Sequence, residues 1–185
     1  MGYLLLFSAS SLLFLNAACT VQPQPQGSPQ PEFNLTGTVR DIMHGIVGPA
    51  SDVVFHAVAT TVDEKGTAKK FPRTDEEWDN VRNNALMLLE ASNLLLIPGR
   101  SVAKAGENVK DPDVYMGPDR IQTMIDRDRA TWNKLAQGMH DAVIPALQAI
   151  EAKGADALLE STDRINLTCE NCHLTYWYPR ERRPQ

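Results

Sequence analysis

Cys169, Cys172 and His173 are the residues of this 185-residue chain best placed by type and spacing to do chemistry. They stand in the run Cys169-Glu170-Asn171-Cys172-His173, a C-x-x-C-H spacing that signals attachment of a c-type haem. The spacing has a physical reason. Two thiols must add across the two vinyl groups of one porphyrin, and positions i and i+3 of a helix share a face. The following imidazole is then carried beneath the ring, where it can bind iron as an axial ligand. Other chemistries of the same residues are a C-x-x-C redox pair, expected where a strand meets a helix in a βαβ unit, and a zinc site. Zinc needs about four ligands, and only Cys169, Cys172 and His173 are local. A third alternative is a haem-free helical lipoprotein that uses the pair structurally.

The elements that must position this motif read as helices. Hydrophobic residues make up 43% of the chain, enough for one domain with a full core. A net charge of −5 with no basic stripe argues against a nucleic-acid partner. Alternating β-branched runs are scarce, so a barrel or sandwich is not expected. A first helix is predicted over about 36–62 from the stripe Val39, Met43, Ile46, Ala50, Val53 and Ala57, with a kink at Gly48-Pro49. A second starts behind the capping box Thr74–Glu77, buries Trp78, Val81, Ala85, Leu88 and Leu95, and ends at Pro98-Gly99. A third is predicted from Gly117-Pro118 to Gly154, bent or broken at Pro145. Its stripe is Ile121, Ile125, Trp132, Leu135, Met139, Ala142 and Ala146. The fourth, about 156–178, puts Leu158, Thr162, Ile165, Cys169, Cys172 and Tyr176 on one face. The expected fold is therefore all-α, an antiparallel four-helix bundle.

Residues 1–18 carry no charge and end in Ala17-Ala18 before Cys19, which reads as an export signal. Their apolar run is interrupted by serines and falls short of the roughly 20 residues that span a bilayer. The small residues before Cys19 resemble a bacterial lipoprotein signal, which implies lipidation of Cys19. Residues 19–34, rich in proline and glutamine, then read as an extended tether. An ordinary cleaved signal, or an uncleaved anchor, is the alternative. The predicted organisation is signal 1–18, lipid site and linker 19–34, helical domain 35–178 and basic tail 179–185, with Arg180, Arg182 and Arg183 in the tail.

A helical bundle with one C-x-x-C-H in its last helix resembles the cytochrome c′ family, and within it the low-spin c556-type members. The stretches DIMHGIVGPASDVVFHAV, FPRTDEEWDNVRNNALMLLEASNLLLIPGR, DRATWNKLAQGMHDAV and TCENCHLTYWYP carry the likeness. The resemblance implies one covalent haem c on Cys169 and Cys172, with His173 and Met43 as axial ligands. It implies Arg40 beside the haem propionates, and homodimerisation as an open alternative. The function it implies is one-electron transport between redox partner proteins in the periplasm, with no substrate transformed and the membrane reached through lipid on Cys19. A five-coordinate site binding NO or CO is the alternative. His44 is the competing distal ligand, but on a regular helix it points about 100° away from Met43. His56 and His140 read as surface groups, and Met87, Met116, Met124 and Met139 as core or loop. Trp78, Trp132, Tyr176 and Trp177 read as aromatic packing around the haem or sealing the bundle, and the 98–117 loop as a cover for its edge.

Overall fold

The computed structural model describes residues 33–178. The signal 1–18, Cys19, most of the linker and the arginines of the tail lie outside the described residues. The fold is mostly helical with one small two-stranded sheet.

The first helical segment starts where Thr38 caps it. Thr38 Oγ1 accepts from Asp41 N–H at 3.1 Å, and the Asp41 carboxylate accepts from Thr38 N–H at 3.0 Å. Helix α1 (Val39–Ile42) passes into a π-helical turn (Met43–Val47) and then α2 (Gly48–His56). The expected kink at Gly48-Pro49 takes this form. Pro49 has no N–H to give the Gly45 carbonyl, and the Gly48 N–H reaches back five residues to the Met43 carbonyl. A Cβ at Gly48 would lie 3.2 Å from that oxygen, a tight approach that would push the carbonyl back by a few tenths of an ångström.

The helix stops at His56 instead of running to Val62, and here the all-α expectation fails. Strands β1 (Ala59–Asp63) and β2 (Gly66–Lys70) form an antiparallel hairpin, with Ala59 opposite Lys70 and Asp63 opposite Gly66. The apolar stripe ends at Ala57. Thr60, Thr61 and Val62 are β-branched and prefer extended backbone. Gly66 supplies the positive φ of +118° that the turn requires. Every residue of both strands is exposed, so no core contact pulls this segment into a helix.

Helix α3 (Asp75–Leu96) begins at the predicted capping box. Thr74 Oγ1 accepts from Glu77 N–H at 3.2 Å, and Glu77 Oε2 accepts from Thr74 N–H at 3.2 Å and from Arg73 N–H. Those backbone donors lower the Glu77 pKa. A carboxylate with a lowered folded pKa adds stability above its unfolded pKa and loses it as pH falls through the folded value. Thr74→Ala is expected to cost about 1 kcal/mol in urea unfolding at neutral pH. Glu77→Gln is expected to flatten the acid limb of the stability profile.

The segment predicted as one helix from Gly117 to Gly154 is two: α4 (Pro118–Arg127) and α5 (Arg129–Glu151). The break falls at Asp128, whose carboxylate caps α5 by accepting from Thr131 N–H at 3.0 Å and from its hydroxyl at 2.7 Å. The helix runs through Pro145 without ending there. The stripe hid the break because Ile125 and Trp132 are seven residues apart, two helical turns, and stay in phase across it. After Lys153, at φ +52°, and Gly154, α6 (Ala155–Tyr176) begins.

Helix α5 packs on both α3 and α6, and α2 packs on α3. Direction follows from the ends. Trp132 at the start of α5 meets Tyr176 at the end of α6, and its Nε1 donates to the Leu95 carbonyl at the end of α3. Asp75 at the start of α3 pairs with Lys153 just past the end of α5. So α5 is antiparallel to both neighbours. Leu88, Leu158, Ile165, Val54 and Val143 are almost wholly buried between these helices. No helix of the described residues is long and apolar enough to cross a membrane.

Candidate cofactor site

The last two turns of α6 place Cys169, Cys172 and His173 on the wall of a cavity of about 470 Å³. That size lies within the ~300–1,000 Å³ of ligand and cofactor clefts. Leu158 and Ile165, fully buried upstream, fix which face of α6 turns inward, and the two cysteines continue that face, partly buried. One cavity is thus lined by all three residues of the motif.

Both thiols are free. Burial raises the Cys169 pKa, and the Glu170 charge adds to it. Burial pushes Cys172 up to about 12, helped by Cys169 next to it. These are the opposite of the lowered values that activate a redox or zinc-binding thiolate. Addition of each S–H across a vinyl double bond, sulfur to one carbon and hydrogen to the other, would form thioethers at these positions with no oxidant consumed. Burial lowers the His173 pKa, partly offset by Glu170. Burial thus favours the neutral ring, which has a lone pair to give. Its ring centroid lies 6.5 Å from that of Trp177. The end of α6 is closed by the His173 carbonyl, which accepts from Trp177 N–H at 2.7 Å and Tyr178 N–H at 3.0 Å.

The other contributors come from the first helical segment. Met43, half-buried, lines the same cavity as the motif, and so does His44. His44, next to Met43 in the π turn, is among the lining residues and is exposed, whereas Met43 is half-buried. Arg40 also lines it, tied to the 98–117 loop through the Asn108 carbonyl at 3.3 Å and Glu107 Oε2 at 3.8 Å. That loop supplies Val102, Tyr115 and Met116 to the walls. Its Ser101 and Val102 carbonyls accept from Val39 and Arg40 N–H at 2.9 and 3.0 Å. Those are first-turn donors that a helix cannot satisfy itself, so the loop and the segment bearing Met43 are pinned together.

Of the aromatic candidates, Trp132, Tyr176 and Trp177 line the cavity, while Trp78 is buried near the start of α3 and does not. His56 bonds the Asp52 carbonyl, and His140 bonds Gln137 and Asp141, as surface groups. Met116 and Met139 are buried and line the cavity, whereas Met87 is exposed. Their spacing carries no signal that separates a cavity wall from ordinary core. Among the described residues no three His, Cys, Asp or Glu side chains gather as a metal-holding cluster.

Comparison of the chain with protein-family models, with curated proteins and with solved structures gives no match.

Proposed function

We propose that this chain is an exported monohaem c-type cytochrome. On this reading α1–α2, α3, α5 and α6 compose an antiparallel four-helix bundle of cytochrome c′ type, with α4 leading into α5. Cys169 and Cys172 hold one haem c through two thioethers, and His173 is its proximal ligand. Met43 is the distal ligand, and Arg40 stands at the rim to meet a propionate. The haem supplies a one-electron ferrous–ferric couple, which Met/His ligation sets at raised potential. The chain's own part is to bind and orient the group, exclude water with apolar walls and hold the iron six-coordinate. No substrate is transformed, and the partners are redox proteins. Lipid on Cys19 and the 19–34 linker keep the domain at a periplasmic membrane surface.

One observation carries the reading: Cys169, Cys172, His173 and Met43 line a single, mostly apolar cavity. The test is the full chain expressed in a bacterium with haem-attachment machinery. The expected product is red, heavier by one haem, and shows the weak far-red band of sulfur ligation when ferric. A colourless product with both thiols open to alkylation overturns the reading. A high-spin spectrum that shifts with CO replaces Met43 ligation by the gas-binding alternative.

A further inference from the structure

His44 has no role in the reading above, yet it lines the same cavity. It stands next to Met43 in sequence, and both residues line the cavity. Both belong to the π turn Met43–Val47, which is written into the local sequence by Pro49, which lacks a donor, and by Gly48, whose N–H reaches the Met43 carbonyl. Of the three histidines outside the haem motif, His44 is the one with no hydrogen-bond or ion-pair partner among the described residues. The two side chains also differ in burial. Met43 is half-buried and His44 is exposed at the cavity wall.

We propose that the sixth position has two protein donors in order: the Met43 thioether resident, and the His44 imidazole in reserve. The proposal rests on the haem reading. When the thioether leaves, the iron–sulfur bond is exchanged for an iron–nitrogen bond, with no change in electron count at either donor. Imidazole is a good ligand for iron. Its exposure lets it stay withdrawn while Met43 holds the position, at the cost of ordering one side chain when it turns in. The effect is to keep the iron six-coordinate and closed to added ligands.

The test uses the full-length haem-loaded protein, with Met43→Ala, His44→Ala and the double variant. Mass and circular dichroism show that haem and helix are retained. Absence of covalent haem in the unsubstituted protein defeats the parent reading and is seen before any variant is made. Met43→Ala is expected to lose the far-red sulfur band yet stay low-spin in its ferric electron paramagnetic resonance spectrum, and the double variant is expected to be high-spin. If His44 fills the position about 99% of the time, cyanide or CO binds Met43→Ala about a hundredfold more weakly than the double variant. His44→Ala alone is expected to keep the sulfur band. Met43→Ala that is already high-spin, with the same cyanide affinity as the double variant, overturns the proposal.

Discussion

Serine at both Cys169 and Cys172 is expected to abolish covalent haem: no mass gain, and no haem staining after denaturing electrophoresis. The substitution is nearly isosteric, so it separates attachment from packing. Both side chains sit partly buried on the inward face of α6, and that face is set by Leu158 and Ile165 upstream, which the change does not touch. Serine is therefore expected to leave the helix intact while removing the sulfur through which the proposed thioether would form. Either single substitution leaves one thioether and is expected to reduce the yield of attached haem without eliminating it. His173→Ala keeps both sulfurs, so covalent haem survives while the low-spin spectrum is lost. The contrast between losing the bond and losing the ligand is what distinguishes this site from a redox dithiol. In a dithiol the cysteine pair alone would change the behaviour, and His173 would matter little. A double-serine protein that still gains the mass of one haem would place attachment elsewhere in the chain.

The motif and its face were legible because they depend on local rules. A three-residue step on a helix is fixed by backbone geometry, and the stripe Leu158–Thr162–Ile165 continues into Cys169 and Cys172 without interruption. Met43 could be read as a core-facing residue, since Val39, Ile46 and Ala50 share its stripe, and its pairing with the motif came only from family resemblance. Other features were hidden by the same periodicity that revealed the helices. The seven residues from Ile125 to Trp132 preserve phase across the Asp128 break, although Asp128 and Thr131 are a recognisable cap. The hairpin at Ala59–Lys70 has a clear β-branched signal, but it buries nothing, and a reading driven by apolar stripes passes over it. That Met43 and His44 both line the cavity is a tertiary outcome, which a helical wheel of the first segment does not give. The cavity walls supplied by Met116 and Val102 depend on a loop docking against α1, which no local pattern encodes.

Trp132→Ala is expected to destabilise the protein by about 3–5 kcal/mol, the range for removing a large buried aromatic. Trp132 is 4% exposed and joins three elements beside the cavity. Its Nε1 donates to the Leu95 carbonyl at 2.8 Å, one of the four end carbonyls that α3 cannot satisfy internally. Its ring stands edge-on to Tyr176 with centroids 5.3 Å apart, one turn beyond Cys172 on α6. Arg129 Nη2 also donates to the Leu95 carbonyl, at 3.3 Å, so losing the indole N–H does not orphan that oxygen. Trp132→Phe is therefore expected to cost only about 1 kcal/mol for the hydrogen bond, plus the smaller ring. The larger part of the Trp132 contribution is packing. At roughly 2–4 °C per kcal/mol for a chain of this size, alanine lowers the melting temperature by about 10 °C and phenylalanine by a few degrees. Thermal unfolding followed by circular dichroism measures both. Equal losses for the two variants would shift the weight from the ring to the hydrogen bond. An alanine variant within about 1 kcal/mol of the parent would mean that Trp132 does not lock the end of α3 to the end of α6, and that the site's geometry is held by the 98–117 loop instead.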